Sequence, residues 1–330
     1  MDLASLPDFP VPPGAVVAEV ASAGGLTLRV ARWSPTAQHS HGTVCLLQGR
    51  SEFIEKYFEV IAELRDRGFH VVAPDWRGQG GSDRPLREPR KGHVDDFEDY
   101  DADLRAVVSG VVRPHCPEPH FALAHSMGAA ILIRALATTP DLFARAVLTA
   151  PMIEIAGLRY PGGARLLAAS LDALGLGGSF IPSGGATAVS TRPFLNNPLT
   201  RDPDRYARAA DLIAVAPALG LGDPTVGWVH AAFRAMAPFG DPNYPLALTT
   251  PMLIVAGTAD TVTVTAAAER FAARLKAGRI VVIPGALHEI LMERDAVRDL
   301  FWAAFDAFLP GTPAGAVLPG SPAMVENPAE

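Results

Sequence analysis

The stretch Phe121-Ala-Leu-Ala-His-Ser126-Met-Gly128-Ala-Ala-Ile-Leu-Ile133 decides how this chain folds. Its first five residues are typical of a short buried strand, and the residues after Gly128 are typical of an apolar helix. A serine between small residues at a strand–turn–helix junction indicates a nucleophile elbow, which presents the serine Oγ at the carboxyl end of a sheet. Met127 follows at the helix N-terminus, where its backbone N–H has no intrahelical partner and can bind an oxyanion. We therefore predict Ser126 as a nucleophile and Met127 as an oxyanion donor.

Strands and helices alternate on both sides of this stretch. Further strand patterns occupy residues 16–20, 26–33, 43–47, 70–74, 146–150, 252–256 and 279–283. Helical spacing occupies residues 53–67, 96–112, 264–277 and 289–308. Nearly continuous apolar strands that alternate with helices indicate a parallel sheet covered on both faces. The fold class is therefore predicted as α/β, with a mostly parallel sheet, an opening antiparallel hairpin and helices on both faces.

The alternation is interrupted between residues 153 and 240, where the chain is rich in Ala and Leu, is broken by Gly and Pro, and shows no strand pattern. We interpret this segment as a helical cap inserted into the α/β core. The core then consists of residues 1–152 and 241–310. Residues 311–330 are rich in Pro, Gly and Ala without periodicity, which predicts a disordered tail.

The composition excludes several classes of function. A net charge of −7 without a basic stripe argues against a nucleic-acid partner. Two cysteines are too few for a disulfide framework, and no Cys/His cluster has metal-binding spacing. No dinucleotide or P-loop fingerprint is present, so no cofactor and no metal are predicted. Residues 1–14 lack a basic region and a long apolar run, and we expect a cytoplasmic location.

A serine nucleophile needs a histidine base that is oriented by a carboxylate. Asp260 and His288 each follow a predicted strand, in the order serine, acid, histidine. Because catalytic groups gather at the carboxyl ends of parallel strands, we predict that Ser126, Asp260 and His288 form a triad. Glu154 is an alternative acid, since it also follows a strand, and Asp260 could be only a helix N-cap. His125 adjoins the serine on a tight turn and is predicted to be structural.

The second oxyanion donor should come from the loop after an early strand. Gln48-Gly49-Arg50 follows the strand pattern at 43–47, and the glycine allows the backbone to bend toward the elbow. We therefore predict the Arg50 N–H as the second donor, with an ordinary β-turn as the alternative.

The chain resembles the lysophospholipase/monoacylglycerol lipase branch of the α/β-hydrolase superfamily over roughly residues 15–310. The motifs that carry this resemblance are Leu47-Gln-Gly-Arg-Ser-Glu-Phe-Ile-Glu-Lys-Tyr57, Asp75-Trp-Arg-Gly-Gln-Gly-Gly-Ser82, His125-Ser-Met-Gly128, Gly257-Thr-Ala-Asp260 and Gly285-Ala-Leu-His-Glu289. The resemblance implies the same triad, the same two backbone donors and a helical cap. Two positions depart from the family pattern: Gln48 replaces the histidine of the oxyanion loop, and Ala124 replaces the first glycine of the elbow.

The predicted activity is cofactor-free hydrolysis of a carboxylic ester of a single-chain lipid, either a lysophospholipid or a monoacylglycerol. Apolar side chains of the predicted cap can line an acyl tunnel, with Trp228, Phe233 and Phe180 as candidates. The expected partners are a small lipid or ester substrate and, transiently, a membrane surface. A carboxylesterase for short or unusual acyl esters is the alternative, and an inactive binding scaffold is a third possibility. The head group, the chain length and the oligomeric state stay open.

Overall fold

Residues 2–310 are the part of the chain that this computed structural model describes. One sheet holds eight strands in the spatial order β1-β2-β4-β3-β5-β6-β7-β8. The strands are β1 (Val16–Ala21), β2 (Thr27–Trp33), β3 (Thr43–Leu47), β4 (His70–Pro74), β5 (His120–His125), β6 (Arg145–Thr149), β7 (Met252–Gly257) and β8 (Gly278–Ile283). Each strand begins and ends within one residue of its predicted bounds.

The sheet has an antiparallel start. β1 pairs antiparallel with β2, and β2 pairs antiparallel with β4. From β4 to β8 every neighbouring pair is parallel, so the carboxyl ends of these strands meet at one edge of the sheet. This arrangement confirms the predicted fold class.

The helices lie on both faces of the sheet. They are α1 (Phe58–Asp66), α2 (Glu98–Val107), α3 (Arg113–His115), α4 (Met127–Thr138), α5 (Pro161–Leu171), α6 (Pro203–Val215), α7 (Val226–Met236), α8 (Tyr244–Ala247), α9 (Thr265–Ala272) and α10 (Asp295–Phe308). Side chains of α2, α4 and α7 fill the apolar core on one face, and those of α1 and α10 fill the core on the other. Burial of both sheet faces explains why the central strands are almost wholly apolar.

Four helices differ from their predicted bounds. The helix predicted for 96–112 is divided into α2 and a π-helical turn at Val108–Val112. The helix predicted for 289–308 begins only at Asp295, because the preceding residues make tertiary hydrogen bonds: the Glu289 N–H donates to the Leu199 carbonyl (2.8 Å), and the Leu287 N–H donates to the Glu293 carboxylate (3.0 Å). The helix predicted for 53–67 begins with a 3-10 turn, and the one predicted for 264–277 ends at Ala272.

The segment between β6 and β7 contains α5, α6, α7 and α8. Helix α7 packs against both α5 and α4, which joins the insertion to the helical layer over the sheet. The division into core and cap stays a prediction, and the predicted tail at 311–330 lies outside the described residues. Within residues 2–310, no helix is both long and apolar enough to span a membrane.

Candidate active site

Ser126 lies at the junction where β5 ends and α4 begins, with φ of 50° and ψ of −112°. A positive φ is sterically unfavourable for a residue with a Cβ, and such strain persists only where neighbours fix the backbone. Two hydrogen bonds do so here: the Ser126 N–H donates to the Thr149 carbonyl (3.0 Å), and the Met152 N–H donates to the Ser126 carbonyl (3.1 Å). The turn presents the Ser126 Oγ to a cavity at the carboxyl ends of the parallel strands.

Gly128 allows the end of β3 to approach the first turn of α4. A Cβ at this position would lie 2.5 Å from the carbonyl oxygens of both Leu47 and Gln48, which no backbone can accommodate without moving. The glycine of the elbow is therefore required by the close packing of two backbones. This packing brings the loop after β3 next to Ser126.

The three residues predicted as a triad meet at the edge of the sheet. The Ser126 hydroxyl lies 3.0 Å from His288 Nε2, and His288 Nδ1 lies 2.8 Å from Asp260 Oδ2. With the imidazole proton on Nδ1, Ser126 donates to His288 and His288 donates to Asp260. His288 is 4% exposed, so bulk water has little access to its imidazole.

Asp260 also closes its own turn. Its carboxylate accepts hydrogen bonds from the Val262 N–H (2.7 Å) and from both the N–H (3.0 Å) and hydroxyl (2.7 Å) of Thr263. Burial alone would raise the pKa of Asp260, but the hydrogen bond with His288 and those from Thr263 outweigh it, and the pKa lies below its ordinary value. The carboxylate is thus held ionised and oriented toward the imidazole.

Glu154, the alternative acid, is placed elsewhere. Its carboxylate pairs with Arg270 at 3.3 Å, and both side chains are more than half exposed. The geometry therefore favours Asp260 over Glu154 as the partner of the histidine.

The loop between β3 and α1, residues 48–52, is held by contacts that sequence reasoning missed. The Gly49 N–H donates to the Glu52 carboxylate (2.5 Å), and the Ser51 N–H donates to the Gln79 side-chain oxygen (3.2 Å). The Gln79 amide in turn donates to the Gly49 carbonyl (2.8 Å). Arg50 and Met127, the predicted oxyanion donors, line the cavity beside Ser126. Gln79 belongs to the glycine-rich segment after β4, whose composition is typical of a tight turn but does not indicate a contact with the loop at 48–52.

A buried group of charges lies behind the loop. Lys56 Nζ donates to Glu52 (2.8 Å) and to Glu289 (2.6 Å), and the Tyr57 hydroxyl also donates to Glu52 (2.7 Å). Burial would raise the pKa of Glu52, but the Lys56 charge outweighs it and lowers that pKa to about 2. Glu52 therefore stays ionised at neutral pH as the acceptor that holds the Gly49 N–H.

His125, predicted to be structural, lies against the His288 imidazole, with ring centroids 4.8 Å apart. Its Nδ1 lies 3.1 Å from the Thr149 hydroxyl and 3.2 Å from the Thr149 carbonyl. Burial lowers the pKa of His125 to about 4. The ring is therefore neutral at pH 7 and places no second charge beside His288.

Two cavities meet at Ile155. The catalytic cavity, of about 240 Å³, contains Ser126 and His288 and is lined on one side by Trp228. The side cavity, of about 680 Å³, lies between the insertion and α9 and is lined by Phe233. Ile155 lines both cavities, so a single side chain stands at their boundary.

Of the three aromatic residues predicted to bind the acyl chain, Phe180 lines neither cavity. Its ring lies 5.1 Å from Lys91 Nζ, and its backbone bridges to Thr225. The sequence does not distinguish Phe180 from Phe233, because both are apolar residues of the same segment. Tertiary contacts decide which of them lines a cavity.

The chain was compared with known protein families and with known proteins. A family model described as serine aminopeptidase, S33 (Hydrolase_4) matches residues 38–295. Lysophospholipase L2 of Escherichia coli strain K12 is 35% identical over 278 residues, which cover 80% of this chain and 79% of that protein.

Two solved structures share the fold. A carboxyl esterase from Bacillus coagulans has a TM-score of 0.72 at 18% identity, covering 91% of this chain and 99% of that one. A monoglyceride lipase from Saccharomyces cerevisiae has a TM-score of 0.69 at 19% identity, covering 90% and 96%. The resemblance stated from the sequence motifs is confirmed. The chain belongs to the serine aminopeptidase S33 family of the α/β-hydrolase superfamily and is a relative of lysophospholipase L2.

Proposed function

We propose that the chain hydrolyses the carboxylic ester of a single-chain lipid through an acyl-enzyme. The observation that carries this proposal is the continuous hydrogen-bonded chain from Ser126 through His288 to Asp260, at the floor of a cavity. The 35% identity with lysophospholipase L2 supports a lipid ester as the substrate.

The residues have distinct roles in this reaction. Ser126 Oγ attacks the ester carbonyl while its proton passes to His288 Nε2, and the N–H groups of Arg50 and Met127 stabilise the oxyanion. Asp260 orients the imidazole and stabilises its charged form. His288 then gives the proton to the departing alcohol, which leaves the acyl group on Ser126. A water molecule, activated by the same imidazole, releases the fatty acid and restores the serine.

A peptidase activity, which the family description names, fits this cavity less well. An aminopeptidase needs an uncommitted acceptor for the ammonium group of its substrate. The carboxylates that line the catalytic cavity, within the part of the chain described, belong to Glu52 and Glu289. Both are already bound by Lys56, at 2.8 and 2.6 Å. The cavity therefore suits a neutral ester group better than a charged amino terminus.

The triad is tested by two substitutions. Ser126→Ala should abolish ester hydrolysis and labelling by a fluorophosphonate while the chain stays folded, because only one oxygen is removed. Asp260→Asn should lower kcat on the order of 10⁴-fold, as expected when the imidazole loses its orienting carboxylate. Glu154→Gln is the matched control and should be almost silent. Persistent labelling of another serine, or a larger effect of Glu154→Gln, would contradict the assignment.

The Arg50 side chain favours an anionic head group. Its guanidinium donates to the Gly222 carbonyl (3.0 Å) and the Ser51 hydroxyl (2.8 Å) and lies 5.1 Å from the Trp228 ring centroid. Among the described residues, no carboxylate forms an ion pair with it, and burial lowers the pKa of Arg50 only to about 10. A guanidinium that contacts no carboxylate, and that belongs to a residue lining the same cavity as Ser126, suits a phosphate, for which guanidinium geometry is well matched. We therefore favour a lysophospholipid over a monoacylglycerol.

Arg50→Gln tests this preference, because it removes the guanidinium and keeps the backbone N–H. The loss of charge-assisted hydrogen bonds should lower kcat/KM for lysophosphatidylglycerol by roughly tenfold or more. The value for a monoacylglycerol with the same acyl chain should change little. An equal loss on both esters would assign the side chain to loop structure and leave the ester hydrolase standing.

Short acyl esters are the second candidate, favoured by the size of the catalytic cavity. Its volume of about 240 Å³ is below the roughly 300–1,000 Å³ of most small-molecule sites. A longer acyl chain needs the side cavity, and the dependence of turnover on chain length separates the two candidates. A cytoplasmic location stays a prediction, which fractionation of cells that express the chain would test.

A further inference from the structure

The side cavity is amphipathic, because burial divides the residues that line it by polarity. Within the described part of the chain, every buried residue of this lining is apolar, and the largest are Phe233, Met236 and Phe271. The charged residues of the lining are all exposed: Glu154, Arg165, Asp241, Arg270 and Arg274. An apolar interior with a charged rim suits a ligand that has an apolar chain and one charged end.

The charges at this rim do not cancel. Glu154 pairs with Arg270 at 3.3 Å, and Asp241 accepts a hydrogen bond from a backbone N–H of its own turn (2.8 Å). Within residues 2–310, no carboxylate forms an ion pair with Arg165 or Arg274. The rim therefore carries an excess of one positive charge, in a protein whose net charge is −7.

The two arginines without an ion pair belong to different elements that meet at the side cavity. Arg165 lies on α5, and its guanidinium is 5.9 Å from the ring centroid of Phe233, at the edge of the apolar interior. Arg274 follows the end of α9. A guanidinium can bind a carboxylate through two parallel hydrogen bonds. The rim and the interior together therefore suit a single-chain carboxylic acid.

We infer that the side cavity binds a free fatty acid, with its carboxylate at Arg165 and Arg274 and its chain directed toward Ile155. The inference rests on the proposed function for the source of the ligand, because hydrolysis of a lipid ester releases a fatty acid. The binding itself depends only on the apolar interior and the two arginines.

This binding would have a consequence for turnover. A fatty acid in the side cavity occupies the space that a long acyl chain of the substrate needs, and it leaves the catalytic cavity free. Decanoate should therefore inhibit hydrolysis of a decanoyl ester and should not inhibit hydrolysis of an acetyl ester. Equal inhibition of both esters would place the fatty acid in the catalytic cavity and overturn the inference.

Titration calorimetry of the full chain with monomeric decanoate tests the binding directly. We expect one decanoate per chain, and shorter fatty acids should bind more weakly by up to roughly fourfold for each CH₂ removed. Decan-1-ol, which has no charge, should bind on the order of tenfold more weakly than decanoate. Arg165→Gln with Arg274→Gln should raise the Kd of decanoate on the order of tenfold or more and leave the Kd of decan-1-ol unchanged.

The matched control is Arg113→Gln with Arg279→Gln, which removes the same charge from two exposed arginines that line neither cavity. This variant should bind decanoate like the unchanged chain, and thermal unfolding shows whether both double variants are folded. An equal loss of binding in the control, or equal binding of decanoate and decan-1-ol to the unchanged chain, would overturn the inference.

A chain whose Ser126 carries a dialkylphosphoryl label separates the two cavities, because the label occupies the catalytic cavity. The labelled chain should bind decanoate with an unchanged Kd, and loss of binding would overturn the inference. Failure of the two proposals can be distinguished. Decanoate binding without hydrolysis of any lipid ester contradicts the proposed function and keeps the fatty-acid site, whereas hydrolysis without decanoate binding contradicts the site and keeps the proposed function.

Discussion

At the scale of single residues, the site depends on which imidazole carries charge. In the proposed reaction His288 becomes positively charged, and a second cation against its ring would oppose that step. His125 avoids this because burial lowers its pKa to about 4, and its Nδ1 is engaged with Thr149. Because the folded chain keeps His125 neutral, lowering the pH should destabilise the folded state, which gives a prediction for the pH dependence of stability.

Between pH 6.5 and 4 the unfolded chain binds a proton at His125 and the folded chain does not. The free energy of unfolding should therefore fall as the pH is lowered through this range, by on the order of 3 kcal/mol, and the loss is absent above pH 6.5. His125→Gln should flatten this part of the curve, whereas the same exchange at the exposed His115 should change it little. Urea unfolding of the unchanged chain and of both variants, at a series of pH values, measures these free energies. Parallel curves for the unchanged chain and His125→Gln would contradict the prediction.

The meeting of Ser126, Asp260 and His288 could be predicted from the sequence because each follows a strand, and parallel strands bring their carboxyl ends together. The residues that hold them could not. Lys56 contacts Glu289, a residue 233 positions away in the chain, and Gln79 contacts the loop after β3 from the loop after β4. Such pairs are decided by tertiary packing and leave no local pattern.

At the scale of elements, the contact between the end of β3 and the start of α4 fixes the predicted oxyanion loop. Gly128→Ala should force these backbones apart, since its Cβ would lie 2.5 Å from two carbonyl oxygens. We expect a loss of about 1–3 kcal/mol of stability from overpacking, and a loss of roughly 100-fold in kcat as the loop moves away from Ser126.

Gly162→Ala is the matched control for this prediction, because a Cβ at Gly162 in α5 meets no atom within 4 Å. It should leave kcat unchanged and keep or slightly raise stability, since alanine is the better helix former. Thermal unfolding and turnover of a short-chain ester measure both variants. A Gly128→Ala enzyme with full activity would show that the loop does not depend on this contact.

The bounds of strands and helices could be predicted where the local sequence decides them, and not where tertiary contacts do. Strands could be predicted to within one residue, because they are bounded by turn residues and the central ones are buried on both faces. The start of α10 could not, since helical spacing begins at residue 289, whereas residues 287–293 are held by hydrogen bonds to Leu199 and within their own turn. The sequence is helical in its periodicity at this point, but tertiary hydrogen bonds keep the chain from forming the helix before Asp295.

At the scale of the whole molecule, the two cavities describe one path for a lipid. The side cavity opens beside α5, and Ile155 separates it from the catalytic cavity that holds Ser126. Arg50 lies in the catalytic cavity, so an anionic head group and an acyl chain would occupy different spaces. None of this geometry has a sequence signature, because it arises from how an irregular insertion packs on the sheet.

This path predicts how turnover depends on acyl-chain length. Each added CH₂ that becomes buried should contribute up to about 0.8 kcal/mol, or roughly fourfold in kcat/KM, until the available space is filled. Short chains fit the catalytic cavity, and longer ones must pass Ile155 into the side cavity. Phe233→Ala should therefore flatten the rise for long chains and leave acetyl-ester turnover unchanged, which also controls for folding. Phe180→Ala, outside both cavities, should leave the whole series unchanged. An unchanged chain that is fastest on acetate would leave the triad standing and favour the short-ester hydrolase over the lipid hydrolase.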